Sequence, residues 1–227
     1  MIPKIAFFHW DGPPMGWLRS VGVATFARHN PDWEIRIIRT MPGLTRKDLK
    51  IEQKADITWW HALRDHGGFA VSTDIVFTAP IPDAWLAKPM CACLDGAYHI
   101  RQLAVVGFEK GHPAVTAACD IGLRRIASRP HLDWQDLGIA LWETVSDSYG
   151  DLCDQPMGAL CPYDEESVDA LWMPKIDLLI PEGNVGVHWY GGHDTTRRFE
   201  GKVGPNSEAA IVCLAMQEMG MSLVSVC

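Results

Sequence analysis

The sequence predicts an α/β domain with a mostly parallel central sheet flanked by helices. Three observations carry this. From Ile2 to Asp74 the apolar pattern runs strand, helix, strand, helix, strand. Gly, Pro or Asn stands at most of the changes of period. The chain is 48% hydrophobic and 21% charged, the balance of a protein that buries its own core.

Each element has its own signal. Ile2 to Trp10 is a short apolar run between Pro3 and Gly12, a buried strand, and 11–14 form a loop. Trp17 to His29 carries apolar residues at helical spacing until Asn30-Pro31 stops it. Trp33 to Ile38 alternates as a second strand, and 41–50 are irregular. Ala55 to Asp65 is helical, with Ile57, Trp60, Ala62 and Leu63 as its buried set and Gly67-Gly68 as its end. Phe69 to Val71 is the third strand, ending at Ser72-Thr73-Asp74. Beyond it come strands at 90–94 and 103–108. Helices follow at 113–127, opened by Pro113, and at 134–145. A strand at 185–190 closed by Gly191-Gly192 and a helix at 208–219 complete the chain. The whole of 1–227 is expected to be one domain.

The bulk properties exclude several function classes. No apolar run reaches the roughly 20 residues that cross a bilayer, and the opening MIPKIAFFHWDG is too short for a signal-peptide core. A net charge of −8 makes nucleic acid an unlikely ligand, because phosphate neutralisation dominates that affinity. Seven cysteines, an odd number, read as reduced thiols in a cytoplasmic protein. Ten Trp against four Tyr leave room for stacking surfaces as well as core. The sequence shows no P-loop, GxGxxG or Ser-His-Asp pattern, no cysteine with an evident His partner, and no complete zinc ligand set around Cys91 and Cys93.

In parallel sheets ligands sit at the carboxyl ends of strands. Three ends carry chemistry: His9-Trp10-Asp11, Ser72-Thr73-Asp74 and His188-Trp189-Tyr190. The stretch from Ala55-Asp56 through Gly67-Gly68 to Ser72-Thr73-Asp74 resembles the nucleotide-sugar-binding segment of glycosyltransferase family 32. That family reads Ala-Asp, a helix, Gly-Gly and then Asp-Thr-Asp, its DXD motif. Ile2-Pro3-Lys4-Ile5, His9-Trp10, Asn30-Pro31, Gly111-His112-Pro113 and His188-Trp189 extend the resemblance. It is dense over 2–80 and thin beyond. Two positions depart from it: Ser72 stands where the family has the first acid, and Trp59 where it tends to have Arg.

The resemblance implies a GT-A-like, Rossmann-related fold. It also implies retaining transfer of a sugar from a nucleoside-diphosphate donor, UDP- or GDP-linked, to a hydroxyl of a saccharide or small-molecule acceptor. Asp74 and His188 are the candidate ligands of Mn²⁺ or Mg²⁺, since such an ion takes few protein ligands and the rest from phosphate and water. Asp74 and Asp56 are the candidate catalytic acids. Trp10, Asp56, Ser72, Thr73 and Trp189 are candidate donor contacts, with His188 and Trp189 closing over the diphosphate. For Trp10 and His188 a place in the core is the alternative, and for Asp56 a helix N-terminal acid. His112 reads as a helix-start residue and Arg197-Arg198 as a surface pair. Two other functions stay open: a degenerate protein that binds a nucleotide sugar without transferring it, and a transferase acting on a modified nucleobase.

Overall fold

The computed structural model describes residues 1–95, 100–146, 148–149, 152–164, 166–174 and 177–221. In chain order its elements are β1 (Ile5–His9), α1 (Trp17–His29), β2 (Glu34–Ile38), α2 (Ile51–His66), β3 (Gly68–Val71), β4 (Ile75–Phe77), α3 (Asp83–Leu86), β5 (Met90–Asp95), β6 (Ile100–Phe108), α4 (Pro113–Ser128), α5 (Ile139–Ser146), β7 (Leu152–Pro156), β8 (Gly186–His188), α6 (Asp194–Phe199) and α7 (Ala210–Glu218). Short 3-10 turns occupy Met157–Ala159, Val168–Trp172 and Glu200–Lys202. The chain divides into two compact units. The first comprises 1–12, 32–72 and 82–156, and the second 13–31, 73–81 and 157–227.

The first unit holds a six-stranded sheet in the order β2-β1-β3-β6-β5-β7. β1 pairs in parallel with β2 and β3, and β5 with β7; β6 is antiparallel to both its neighbours. All strands but β6 therefore run one way, which is the mostly parallel sheet expected. β1 has β2 on one side and β3 on the other, so the strand order reverses at β1/β3. That is the position at which open α/β sheets leave a crevice for ligands. Trp10 and Ser72 follow these two strands.

Helices α2, α4 and α5 supply the core of this unit. Ile57, Trp60 and Leu63 join Val115, Ala118, Leu141 and Trp142 in one cluster with Phe7, Ala70 and Phe108 of the sheet. Trp60 stacks on Trp142 at 6.0 Å, and its indole N–H donates to the Leu137 carbonyl at 2.7 Å. These tryptophans are therefore core. Gly67 at φ 69 ends α2 as the glycine signal predicts, its N–H returning to the Leu63 carbonyl at 2.8 Å. His112 caps α4, its Nδ1 accepting the Ala114 N–H at 3.2 Å.

Several boundaries differ from the sequence reading. α2 begins at Ile51, because the Gln53 side chain accepts the Lys50 N–H at 2.9 Å and nucleates the first turn early. The helix expected from Trp134 begins only at Ile139. Asp136 there accepts the Asp133 N–H at 2.8 Å and pairs with Arg129 at 2.7 Å, holding a turn instead. β4, the four-residue α3, β7 and α6 are not among the expected elements. β4 has three residues and α6 six, too short for a periodic signal, and the Leu-Cys-Asp-Gln-Pro of β7 pairs with a single neighbour at the sheet edge.

The second unit is built on a two-stranded antiparallel ribbon, β4 with β8, in register Ile75↔His188, Val76↔Val187 and Phe77↔Gly186. Leu18 and Val21 of α1, Ile211, Val212 and Ala215 of α7, and Leu171 and Trp172 cluster with Val76, Val187 and Trp189. Gly22 lets α1 lie against the ribbon: a Cβ there would stand 2.7 Å from the Ile75 carbonyl oxygen. The strand expected to reach Tyr190 ends at His188, and Tyr190 takes φ 50, turning the chain away from the ribbon.

Candidate active site

Within the second unit, the register of the ribbon brings two predicted residues together. Ile75 opposes His188, so Asp74, one residue before β4, lies beside the carboxyl end of β8. His188 Nε2 is 3.1 Å from Asp74 Oδ1. Asp74 Oδ2 accepts the Gly191 N–H at 2.6 Å, and the Asp74 carbonyl accepts the Trp189 N–H at 3.0 Å. The other ring nitrogen, His188 Nδ1, is 3.7 Å from Cys161 Sγ. Tyr190 covers the imidazole at a centroid distance of 4.4 Å.

Asp74 and Cys161 are buried. Burial pulls the His188 imidazole down, but the Asp74 charge and hydrogen bond, with Cys161 adding, push it up to about 10. The balance favours the protonated ring, paired with Asp74.

Arg19 of α1 completes the cluster. Its Nη1 donates to Thr73 Oγ1 at 2.8 Å. Its Nε and Nη2 fork onto Glu200, Nε to Oε1 and Nη2 to Oε2 at 3.0 Å. A Cβ on Gly191 would collide with Arg19 Nη2 and stand 2.8 Å from Asp74 Oδ2. Glycine is needed at 191 for space, not for its backbone angles. The next turn is tied down as well: Thr196 Oγ1 donates to the Trp189 carbonyl at 2.6 Å, and His193 caps α6 by accepting the Thr195 N–H at 3.3 Å.

Of the predicted residues, Asp74, His188, Thr73 and Trp189 meet here. The indole of Trp189 is fully buried in this unit's core, and its backbone is the part that touches Asp74. The other three lie in the first unit. Trp10 is half-buried after β1, its N–H on the Ile38 carbonyl at 3.0 Å. Ser72 is half-buried after β3, its N–H on the Ala104 carbonyl at 2.8 Å. Asp56 is half-buried on α2 with its carboxylate facing Gly138, where a Cβ would stand 2.6 Å from Oδ2. Burial, then the Glu52 charge, push its carboxyl up to about 8.

Arg19, Glu200, Gly191 and Cys161 were not among the predicted site residues. Arg19 and Glu200 are 181 positions apart, so no local pattern joins them. Cys161 was read as having no histidine partner; the 3.7 Å approach of His188 corrects that. The Gly191-Gly192 pair after His188-Trp189 was the one signal in the sequence.

The pair Asp74 Oδ1 and His188 Nε2 is a hard oxygen with an imidazole, a donor set suited to Mn²⁺ shared with a diphosphate. Among the described residues no group of three His, Cys, Asp or Glu could hold a metal, so protein ligands alone do not make a closed centre here. Among them too, no helix is long and apolar enough to cross a membrane.

No protein-family model matches the chain, and no curated protein sequence matches it. Solved structures do. A glycosyltransferase involved in the glycosylation of the major capsid of PBCV-1 aligns with TM-score 0.55 at 10% identity, over 87% of this chain and 100% of its own. The galactosyltransferase LgtC, in complex with donor and acceptor sugar analogs, aligns with TM-score 0.50 at 12% identity, over 95% of this chain and 94% of its own. The PaToxG glycosyltransferase aligns with TM-score 0.51 at 14% identity, over 65% of this chain and 69% of its own. The fold is thus the mixed α/β, GT-A type seen in glycosyltransferases.

Proposed function

We propose that this chain is a glycosyltransferase. In this reading it moves a hexosyl group from a nucleoside-diphosphate sugar, UDP- or GDP-linked, to a hydroxyl of a saccharide or small-molecule acceptor in the cytoplasm. The observation that carries it is the Asp74–His188 pair, 3.1 Å apart, in a protein whose fold is that of glycosyltransferases. A leaving diphosphate gathers negative charge, and a site that receives it must supply positive charge or polar hydrogens. Arg19, held by Thr73 and Glu200, supplies one positive charge, and the ion that Asp74 and His188 would hold supplies the rest.

Asp74 Oδ1 and His188 Nε2 are the groups that would hold Mn²⁺ or Mg²⁺. The ion, when bound, neutralises charge on the diphosphate. Binding it requires His188 to give up its Nε2 proton. Asp56 and Ser72 orient donor hydroxyls and Trp10 stacks on the base, the roles that the resemblance to family 32 implies. Transfer is retaining in the same reading: the acceptor attacks on the leaving-group face and the departing phosphate takes its proton. The 1–227 chain acts as one catalytic domain.

The test is donor hydrolysis. The protein is incubated with UDP-, GDP-, TDP- and CMP-linked sugars, with Mn²⁺, Mg²⁺ or chelator, and released nucleotide is measured. Slow, metal-dependent release from one donor, lost in Asp74→Ala, is the expected result. Thermal stabilisation by a donor without release would favour a binding protein, the reading that Ser72 and Trp59 motivate. Release unchanged in Asp74→Ala removes Asp74 from the site.

A further inference from the structure

His188 is engaged at both ring nitrogens, and only one engagement belongs to the site as described. Nε2 faces Asp74; Nδ1 faces Cys161 Sγ at 3.7 Å. The sulfur does not arrive there by chance packing. The Val185 N–H donates to the Ala159 carbonyl at 2.7 Å, and the His188 N–H to the Leu160 carbonyl at 2.9 Å. These two bonds lay the segment before Cys161 alongside β8 and set Cys161 level with His188. The thiol is buried, only 8% exposed. With Tyr190 over one face of the ring, the imidazole is bounded on three sides.

We propose that Cys161 is a positioning residue for His188. Its sulfur accepts the Nδ1–H, fixes the rotation of the ring, and so presents Nε2 to Asp74 and to whatever binds beside it. A histidine that ligates a metal commonly gives its second N–H to a carboxylate, a carbonyl or water, and that partner sets tautomer and orientation. Here a thiol fills the place, a weak acceptor that nevertheless orients the ring. What Nε2 serves rests on the donor-site reading above; the orientation of the ring does not.

The experiment separates the two. Full-length protein labelled with ¹⁵N-histidine is prepared as wild type and as Cys161→Ala, Cys161→Val and Cys161→Ser. Ring nitrogens are read by long-range ¹H–¹⁵N correlation, with His188→Gln assigning the signals. Two apolar variants guard against one failing to fold, which circular dichroism reports. Wild type and Cys161→Ser should show one ring state with Nδ1 protonated; both apolar variants should show a shifted or exchange-broadened Nδ1 signal. An unchanged His188 pattern in a folded apolar variant overturns the proposal, with or without metal. In parallel, Mn²⁺ with UDP is titrated by electron paramagnetic resonance. Cys161→Ala should weaken Mn²⁺ by about 10- to 100-fold, and Cys161→Ser by far less. Absence of Mn²⁺ binding in wild type would strike the metal reading alone, and the ring signals would still decide the role of Cys161.

Discussion

Replacing Gly191 by alanine tests whether one guanidinium packs the candidate site. The new methyl would overlap Arg19 Nη2, so the end of the guanidinium must move. It would give up its fork onto Glu200 and its bond to Thr73. The Arg19 and Glu200 side chains are 19% and 18% exposed, so the bonds are partly shielded from water. Hydrogen bonds to charged groups contribute about 1.5–3 kcal/mol when buried, and exposed ion pairs below about 1 kcal/mol. An intermediate loss of about 2 kcal/mol follows, which in a chain of this size lowers Tm by about 4–8 °C. Arg19→Ala removes the same bonds and should cost about as much. The decisive protein is the double variant. With Arg19 gone the methyl still stands 2.8 Å from Asp74 Oδ2, so the double variant should be worse than Arg19→Ala, but by less than Gly191→Ala costs alone, a coupling of about 1 kcal/mol. Urea denaturation midpoints of the four proteins measure this. Additive costs would show that the damage at Gly191 does not run through Arg19, and the packing argument would fail.

Two further outcomes concern Ser72 and Asp56. Under the proposed function, Ser72→Asp places an acid where the resembled family carries one, and should steepen the Mn²⁺ dependence of donor hydrolysis; an unchanged metal response would count against that resemblance. Asp56 gives a pH signature. Its carboxyl is raised from an ordinary value near 3.8 to about 8, so between those values the folded chain holds a proton that the unfolded chain has released. Stability must then fall as pH rises through that window and level off above it, by at most about 1.4 kcal/mol per pH unit. Asp56→Asn should flatten that part of the profile in urea titrations at pH 5 and 8. Parallel profiles for both proteins would mean that Asp56 ionises normally.

Much of the fold was legible because it rests on local chemistry. Gly67 could be read as a helix end since a positive φ at a C-cap favours glycine, and His112-Pro113 as a helix start since Pro fits the first turn. The switch in strand order at β1/β3 was not legible, because pairing partners are set by packing between distant segments. The candidate site divides the same way. Asp74 and His188 were visible as polar residues at strand ends, each from its own neighbours. The residues that fix them were not: Cys161 and Arg19 sit in stretches with no motif, and their roles come from partners 27 and 181 positions away. Trp189 shows the converse. An aromatic beside a candidate ligand suggests a stacking surface, yet the ring faces the core and only the backbone reaches Asp74.

The second unit is stitched from three stretches of chain: 13–31, 73–81 and 157–227. On the ribosome this imposes an order. Every strand of the six-stranded sheet has been synthesised once Pro156 is added, whereas Arg19 and Asp74 must wait for His188, Gly191 and Glu200. At about 5–20 residues per second that interval lasts about 2–9 s. Through most of it Leu18, Val21 and Val76 lack Val187 and Trp189, and through all of it the α7 side chains, that later cover them. The nascent chain therefore holds a first unit ready to fold while the apolar surface of its second is unfinished. Stalled or truncated products ending before residue 186 are predicted to be the species that chaperones hold and proteases clear.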